Sequence, residues 1–216
     1  MYREGTWVSA EVILQSLDYF GIVVFAMAGA LRGEEKSLDL FGVLVFSIVT
    51  ATGGGTLRDL LMGNLPVNWV KDNAYIWLAL AGGTFTFMFT RFWRFPVGAL
   101  AVADAIGLAV FTVLGADQAA HMGFSPLIVI VTAVMTGCVG GVIRDLLANE
   151  IPLIFHREIY ATAAIVGAVV YLVLQAWGLD ERVFPWLAML VVLMLRLAAL
   201  RWDLRLPRFM RTLPRA

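Results

Sequence analysis

Six ionisable side chains stand inside stretches that are otherwise apolar: Asp18, Arg58, Asp59, Asp104, Arg144 and Asp145. At a bilayer centre each costs roughly 2.5–3.5 kcal/mol on the insertion scale. Six unrelieved charges would cost on the order of 15–21 kcal/mol, against the roughly 5–15 kcal/mol by which a whole protein is stable. Pairing or hydration of most of them is therefore expected. Two glycine-rich runs precede the Arg-Asp pairs. One reads Thr50-Ala51-Thr52-Gly53-Gly54-Gly55-Thr56-Leu57-Arg58-Asp59, the other Thr136-Gly137-Cys138-Val139-Gly140-Gly141-Val142-Ile143-Arg144-Asp145. Glycine is about 1 kcal/mol worse than alanine inside a helix, so each run is a place for a kink. A kink frees carbonyls that must be buried in protein or face a wet cavity. With the hydroxyls of Thr52 and Thr136 they form a hard-oxygen set suited to a partly dehydrated alkali cation. Close helix packing is the competing reading of the glycines, and the two are compatible.

The elements that carry these residues must be membrane spans. Of 216 residues 61% are hydrophobic and 15% charged, with a mean hydropathy of +0.84. That excludes an ordinary soluble domain, which is roughly 45–50% apolar and about 25% charged. Stretches of the roughly 20 apolar residues that cross a bilayer fall near 12–31, 40–63, 74–90, 97–116, 126–148, 159–177 and 183–200. The expected fold is an all-α membrane protein of seven transmembrane helices. Short polar turns separate the spans, among them Arg32 to Asp39, Pro66 to Asn73, Asp117 to Pro126 and Pro152 to Glu158. Tryptophans 7, 69, 93, 177, 186 and 202 sit near span ends, at headgroup depth.

The chain repeats itself. Asp18-Tyr19-Phe20-Gly21 matches Asp104-Ala105-Ile106-Gly107 at an offset of 86 residues (104 − 18). Without gaps, the same offset sets Phe25 on Phe111, Thr50 on Thr136, Gly54-Gly55 on Gly140-Gly141, Arg58-Asp59-Leu60-Leu61 on Arg144-Asp145-Leu146-Leu147, and Pro66 on Pro152. Chance apolar similarity would match Leu, Val and Ala, not this polar pattern in register. Each unit, about 12–90 and about 98–177, holds three spans. An odd number makes the second copy enter from the other side, an inverted 3+3 repeat with its permeation site where the halves meet. An extra helix near 183–202 and a basic tail over 203–216 complete the single membrane domain. The first span belongs to the repeat, which argues against reading it as a cleaved signal.

Depth along the spans places Asp18 beside Arg58 in one half and Asp104 beside Arg144 in the other. Arg58 and Asp59 are helix neighbours and should not face each other. Each pair is either a structural clamp or a charged constriction at a pore mouth. The tail carries Arg196, Arg201, Arg205, Arg208, Arg211 and Arg215 against Asp203 alone. This suits the inner face of a cell membrane and contact with anionic lipid, with no accompanying nucleic-acid motif. Counting back through seven spans puts the N-terminus, with Arg3, outside. The inside loops then hold Arg32, Lys36, Arg91, Arg94 and Arg157, the outside ones only Lys71 and Arg182. Cys138 is the sole cysteine and reads as a small hydrophobe. His121 and His156 fall in loops without metal spacing. No HExxH, GxSxG or P-loop occurs, and the two deep aspartates lie at opposite depths. No catalysis and no cofactor are expected.

Gly54-Gly55-Thr56-Leu57-Arg58-Asp59-Leu60-Leu61 with Pro66, echoed by Gly140-Gly141-Val142-Ile143-Arg144-Asp145 with Pro152, resembles the prokaryotic branch of the trimeric intracellular cation (TRIC) channels, along nearly the whole chain. The resemblance implies a homotrimer with one cation pore per protomer. It implies a pore lined by kinked second and fifth helices, with the first and fourth, around Thr52, Gly53, Gly54, Gly55, Thr136, Gly137, Gly140 and Gly141. It also implies potassium, or sodium, as the permeant ion and bound lipid as a partner. Val139 stands where the second triplet would have its first glycine, which predicts a stiffer fifth helix. Similar bacterial sequences are also described as a glycine-transporter domain, so a carrier for a small amino acid is the alternative.

Overall fold

In the computed structural model, the described residues are 4–93, 95–96, 98–156 and 159–204. Every regular element among them is a helix: α1 (Glu4–Glu35), α2 (Leu40–Met62), α3 (Asn68–Lys71), α4 (Ala74–Phe92), α5 (Ala99–His121), α6 (Pro126–Leu147), α7 (Leu153–His156), α8 (Ala161–Ala176) and α9 (Phe184–Trp202). Five are long and apolar enough to cross a membrane: α1 from Val12 onward, α2, α5, α6 and α9. Of the other two expected spans, α8 is a shorter apolar helix of 16 residues. The 19-residue α4 is diluted by Gly82, Gly83, three threonines and Arg91. Arg3, Arg94, Arg157 and the tail beyond Leu204, on which the topology expectation leaned, lie outside the described residues.

Helix ends follow local chemistry. Asp39 caps α2 by accepting from the Gly42 amide at 2.8 Å, and Gly63, at φ 70°, ends it in the left-handed region. Pro126 opens α6, where a missing N–H costs nothing. Helices α2 and α6 start at the repeat's offset, and so do the ends of α1 and α5. The sequence expectation needs correction at four places. Helix α1 runs into the expected turn as far as Glu35, so Arg32 is helical. Helix α5 likewise continues through Asp117 to His121, so His121 ends a helix rather than lying in a loop. No proline stands at either place, and Gly33, packed on Val43, stays helical. The turns after α2 and α6, expected to be plain, each fold a one-turn helix, α3 and α7.

Helices α1, α2 and α4 pack on one another, as do α5, α6 and α8; the sets meet where α2 crosses α6 and α1 crosses α5. Helix α9 covers α5 and α8. Outward faces display Trp77, Phe85, Phe92, Trp177, Leu190 and Met194, an apolar surface suited to lipid or to a second copy rather than water.

Candidate functional site

The glycine runs sit where α2 and α6 cross. The Thr136 carbonyl oxygen occupies the place where a Cβ on Gly54 would be, and the Thr50 carbonyl oxygen does the same at Gly140. These contacts are reciprocal at the repeat's offset. Both helices run unbroken through the glycines, so tight backbone contact is a role these glycines visibly have. Gly53 meets Ile143, and Gly137 meets the Thr112 hydroxyl. Gly55 differs: a Cβ there would find only Arg58 Nη2, at 3.8 Å. Beside the crossing, the Phe25 and Phe111 rings meet at a tilt with centroids 5.0 Å apart.

On the Gly55 side lies a cavity of about 590 Å³. Four carboxylates line it, Asp18, Asp72, Asp117 and Glu181, with Arg58, Lys71 and His121 as its basic groups. Asp18 Oδ2 accepts from the Tyr75 hydroxyl at 2.7 Å. Asp72 accepts from the Tyr19 hydroxyl and, at 2.9 Å, from the Ala74 amide. The Tyr19 hydroxyl, foremost, holds the Asp72 carboxyl below the usual aspartate range. Asp117 accepts from the Tyr171 hydroxyl at 2.7 Å and carries His121 one turn on, with Nδ1 at 3.4 Å from its carboxylate. A recess of about 20 Å³ continues inward between Thr52, Gly55, Thr56, Trp69, Tyr75 and Phe111, room for about one water. The Thr52 hydroxyl donates to Ile48 O at 2.8 Å, which leaves oxygen lone pairs for a ligand. Thr56 donates to Thr52 O at 2.8 Å and accepts from Trp69 Nε1 at 3.0 Å.

The opposite half holds its charges in a closed cluster. Arg144 Nη1 donates to Asp104 Oδ1 at 2.7 Å, both fully buried. Asp104 Oδ2, Arg144 Nη2 and the Tyr160 hydroxyl are buried with no hydrogen-bond partner among the described residues, and a Cβ on Gly141 would meet the Tyr160 hydroxyl at 2.9 Å and Asp104 Oδ1 at 3.1 Å. The structure thus brings Asp104 and Arg144 together. It does not join Asp18 to Arg58, since Asp18 bonds Tyr75 instead.

It also corrects the view that neighbours cannot pair. Arg58 Nε and Nη2 lie 3.0 and 2.9 Å from Asp59 Oδ1, and Arg144 Nε lies 2.9 Å from Asp145 Oδ1. Near a helix end each long guanidinium can fold back over the last turn. The second carboxylate oxygen explains the one-turn helices. Asp59 Oδ2 accepts from the Asn68 amide at 2.9 Å, and Asp145 Oδ2 from the Leu153 amide at 3.1 Å. Each Arg-Asp pair therefore ties a span end to the turn that follows it.

The glycine-transporter family model matches residues 15–91 and again 101–176, two segments beginning 86 residues apart (101 − 15). A UPF0126 membrane protein of Vibrio cholerae is 41% identical over 91% of this chain and 83% of its own length. The UPF0126 inner membrane protein YadS of Escherichia coli is 43% identical over 89% of this chain and 94% of its own. The TRIC trimeric intracellular cation channel orthologue from Rhodobacter sphaeroides superposes with a TM-score of 0.85 at 38% identity, covering 89% of this chain and 99% of that one. A prokaryotic TRIC channel solved in 0.5 M KCl gives a TM-score of 0.84 at 33% identity over 91% of this chain and 100% of that one. The chain belongs to the prokaryotic TRIC family.

Within this TRIC fold, several site residues carried no sequence signal for the site. Tyr75, Asp72, Asp117 and Glu181 come from span ends and turns, and only packing gathers them around one cavity. Arg196, counted with the basic tail, is instead a fully buried residue of α9. It donates to Ile159 O at 2.8 Å and covers the Tyr160 ring at 4.6 Å. Its place inside the stretch 183–200 was the available signal. Among the described residues no His, Cys, Asp and Glu group is arranged for a metal.

Proposed function

We propose that this protein is a passive cation channel, not an enzyme, with a path through each protomer. The observation that carries this is the carboxylate-lined cavity of about 590 Å³ narrowing to the small recess beside Thr52, Gly55 and Thr56. Four carboxylates outnumber the basic groups Arg58, Lys71 and His121, and the excess concentrates cations at the mouth, while threonine and backbone oxygens replace part of the hydration shell. The TRIC structures that superpose on this chain are described as cation channels. The path continues past Gly54, Gly140 and the Phe25–Phe111 pair to Asp104 and Arg144, with bending at the glycine runs of α2 and α6 opening it. Potassium is the permeant ion. The two units, 12–90 and 98–177, form an inverted 3+3 repeat of seven spans with α9 as the extra one. The protein is a homotrimer in the inner membrane, N-terminus outside, with the arginine-rich tail on anionic lipid. Reversal-potential measurements on purified protein in a planar bilayer under a KCl gradient test this. A cation-selective unitary current is expected; a silent bilayer, or a reversal potential at the chloride value, rules the reading out.

One observation favours a second reading. The same cavity holds Arg58 beside carboxylates, groups that would receive both ends of a zwitterion such as glycine, in keeping with the family description. Saturable uptake of labelled glycine into proteoliposomes, without unitary currents, would establish a carrier.

A further inference from the structure

The repeat makes each half a control for the other, and the halves differ at their mouths. At the Arg144 mouth, the end of α1 and the residue after it are tied to the end of α6 and the turn that follows by two ion pairs. Arg32 Nη2 lies 3.2 Å from Asp145 Oδ1, the oxygen that also receives Arg144 Nε at 2.9 Å. One helical turn on, Lys36 pairs with Glu150, whose carboxyl this partner holds below the usual glutamate range. At the Arg58 mouth the residues 86 positions away are Gln118 for Arg32, Met122 for Lys36, Asp59 for Asp145 and Asn64 for Glu150. Neither Gln118 nor Met122 carries a charge, and Gln118 lines the open cavity. Asn64 instead takes Lys71 Nζ, at 2.7 Å. The mouth with the two ion pairs holds Asp104 and Arg144 sealed, and the mouth without them holds Asp18 and Arg58 on a cavity of about 590 Å³.

We propose that Arg32–Asp145 and Lys36–Glu150 form a latch between α1 and α6 that keeps the Arg144 mouth shut, and that release of these pairs admits water and the permeant ion to Asp104 and Arg144. The inference rests on the path proposed above, but holds for a channel or a carrier. The unpartnered buried atoms Asp104 Oδ2, Arg144 Nη2 and Tyr160 OH mark where that water goes. They are donors and acceptors that a dry cluster leaves unsatisfied. The asymmetric charges also explain why nearly identical Arg-Asp motifs end in different surroundings. Asp145 is the pivot. Its Oδ1 joins Arg32 of the latch to Arg144 of the cluster, so loss of Arg32 is felt at Arg144 directly.

The test reads access rather than current. The full chain in lipid nanodiscs, with Cys138→Ser and Tyr160→Cys, is labelled with a charged, water-soluble thiol reagent from both faces. Arg32→Gln with Lys36→Met, which copies the first mouth, should raise the labelling rate about ten-fold, within the usual range of such couplings. Lys36→Glu alone should raise it, and Lys36→Glu with Glu150→Lys should return it toward the starting rate. Amide exchange on protein with Tyr160 intact should quicken over 141–150 and stay unchanged over 55–64, which covers the case that Tyr160→Cys fails to fold. Equal labelling or exchange with and without the latch charges, or failure of the charge swap to restore the slow rate, overturns the proposal. Faster access in a protein that passes no current would instead leave the latch standing and remove the channel reading.

Discussion

The backbone carbonyl of Thr136 lies against Gly54, at the place a Cβ would take, and 86 residues away in each chain segment Thr50 and Gly140 repeat the contact. This pair of contacts sets how closely α2 and α6 cross, and α2 carries Thr52, Gly55 and Thr56 of the recess.

Gly54→Ala is therefore expected to destabilise. Alanine gains about 1 kcal/mol of helix propensity, but a methyl against a backbone carbonyl forces a helix shift that costs roughly 1–3 kcal/mol or more. Gly55→Ala has open space and should keep or slightly raise stability while narrowing the recess. Melting in detergent and conductance per assembled protein separate the two. A destabilised Gly55→Ala, or a stabilised Gly54→Ala, contradicts the packing described.

Arg144→Ala leaves the fully buried Asp104 carboxyl without its guanidinium partner, a loss of about 3–5 kcal/mol. Asp104→Ala with Arg144→Ala should be less damaged than the two singles summed. The corresponding cycle on Asp18 and Arg58 should show weaker coupling than this, because Tyr75 and Asp59 take their direct hydrogen bonds and only a longer-range attraction joins the two. Comparable coupling energies in both halves would refute this difference.

Asp72 supplies a pH dependence. Its carboxyl is held below the usual range by the Tyr19 hydroxyl and then the Ala74 amide. A lowered folded pKa favours the fold above the unfolded value, and that contribution fades as pH falls through the folded value. Tyr19→Phe removes the larger cause. The variant should lose less stability than the parent between neutral pH and the acid side of the aspartate range. Parallel curves of melting temperature against pH would show that the Tyr19–Asp72 bond does not act this way.

Glu181→Gln removes one carboxylate from the cavity wall without touching the recess. Cation conductance should fall about two-fold or more at 0.01 M salt, where the Debye length is about 30 Å, and hardly at 1 M, where it is about 3 Å. A loss independent of salt would point to a local structural effect.

Much of this was legible beforehand. The long helices show in the sequence because a span must be apolar along about 20 residues, and apolarity is a local property. The register shared by the two halves shows because Gly-Gly-x-x-Arg-Asp-Leu-Leu with Pro66 or Pro152 cannot recur by hydropathy alone. Asp104 and Arg144 could be matched because depth along a span is also a count of residues. The dilute α4 and the short α8 were harder, since α4 carries threonines and glycines and only packing against α1 and α2 makes up for them.

What the sequence by itself determined, then, is the helical membrane architecture, the repeated motif and the identity of the deep charges, all carried by composition and spacing along one chain. Only the tertiary structure decided which partner each charge takes. Asp18 goes to Tyr75 rather than Arg58, and Arg58 and Arg144 fold back on their own neighbours. It also decided that Gly54 is a contact and Gly55 a wall of the recess, and that Arg196 is buried rather than part of the tail. The physical reason is reach. An arginine can bond in several directions from one Cα, and a glycine looks the same wherever it stands, so the outcome depends on which helix lies opposite.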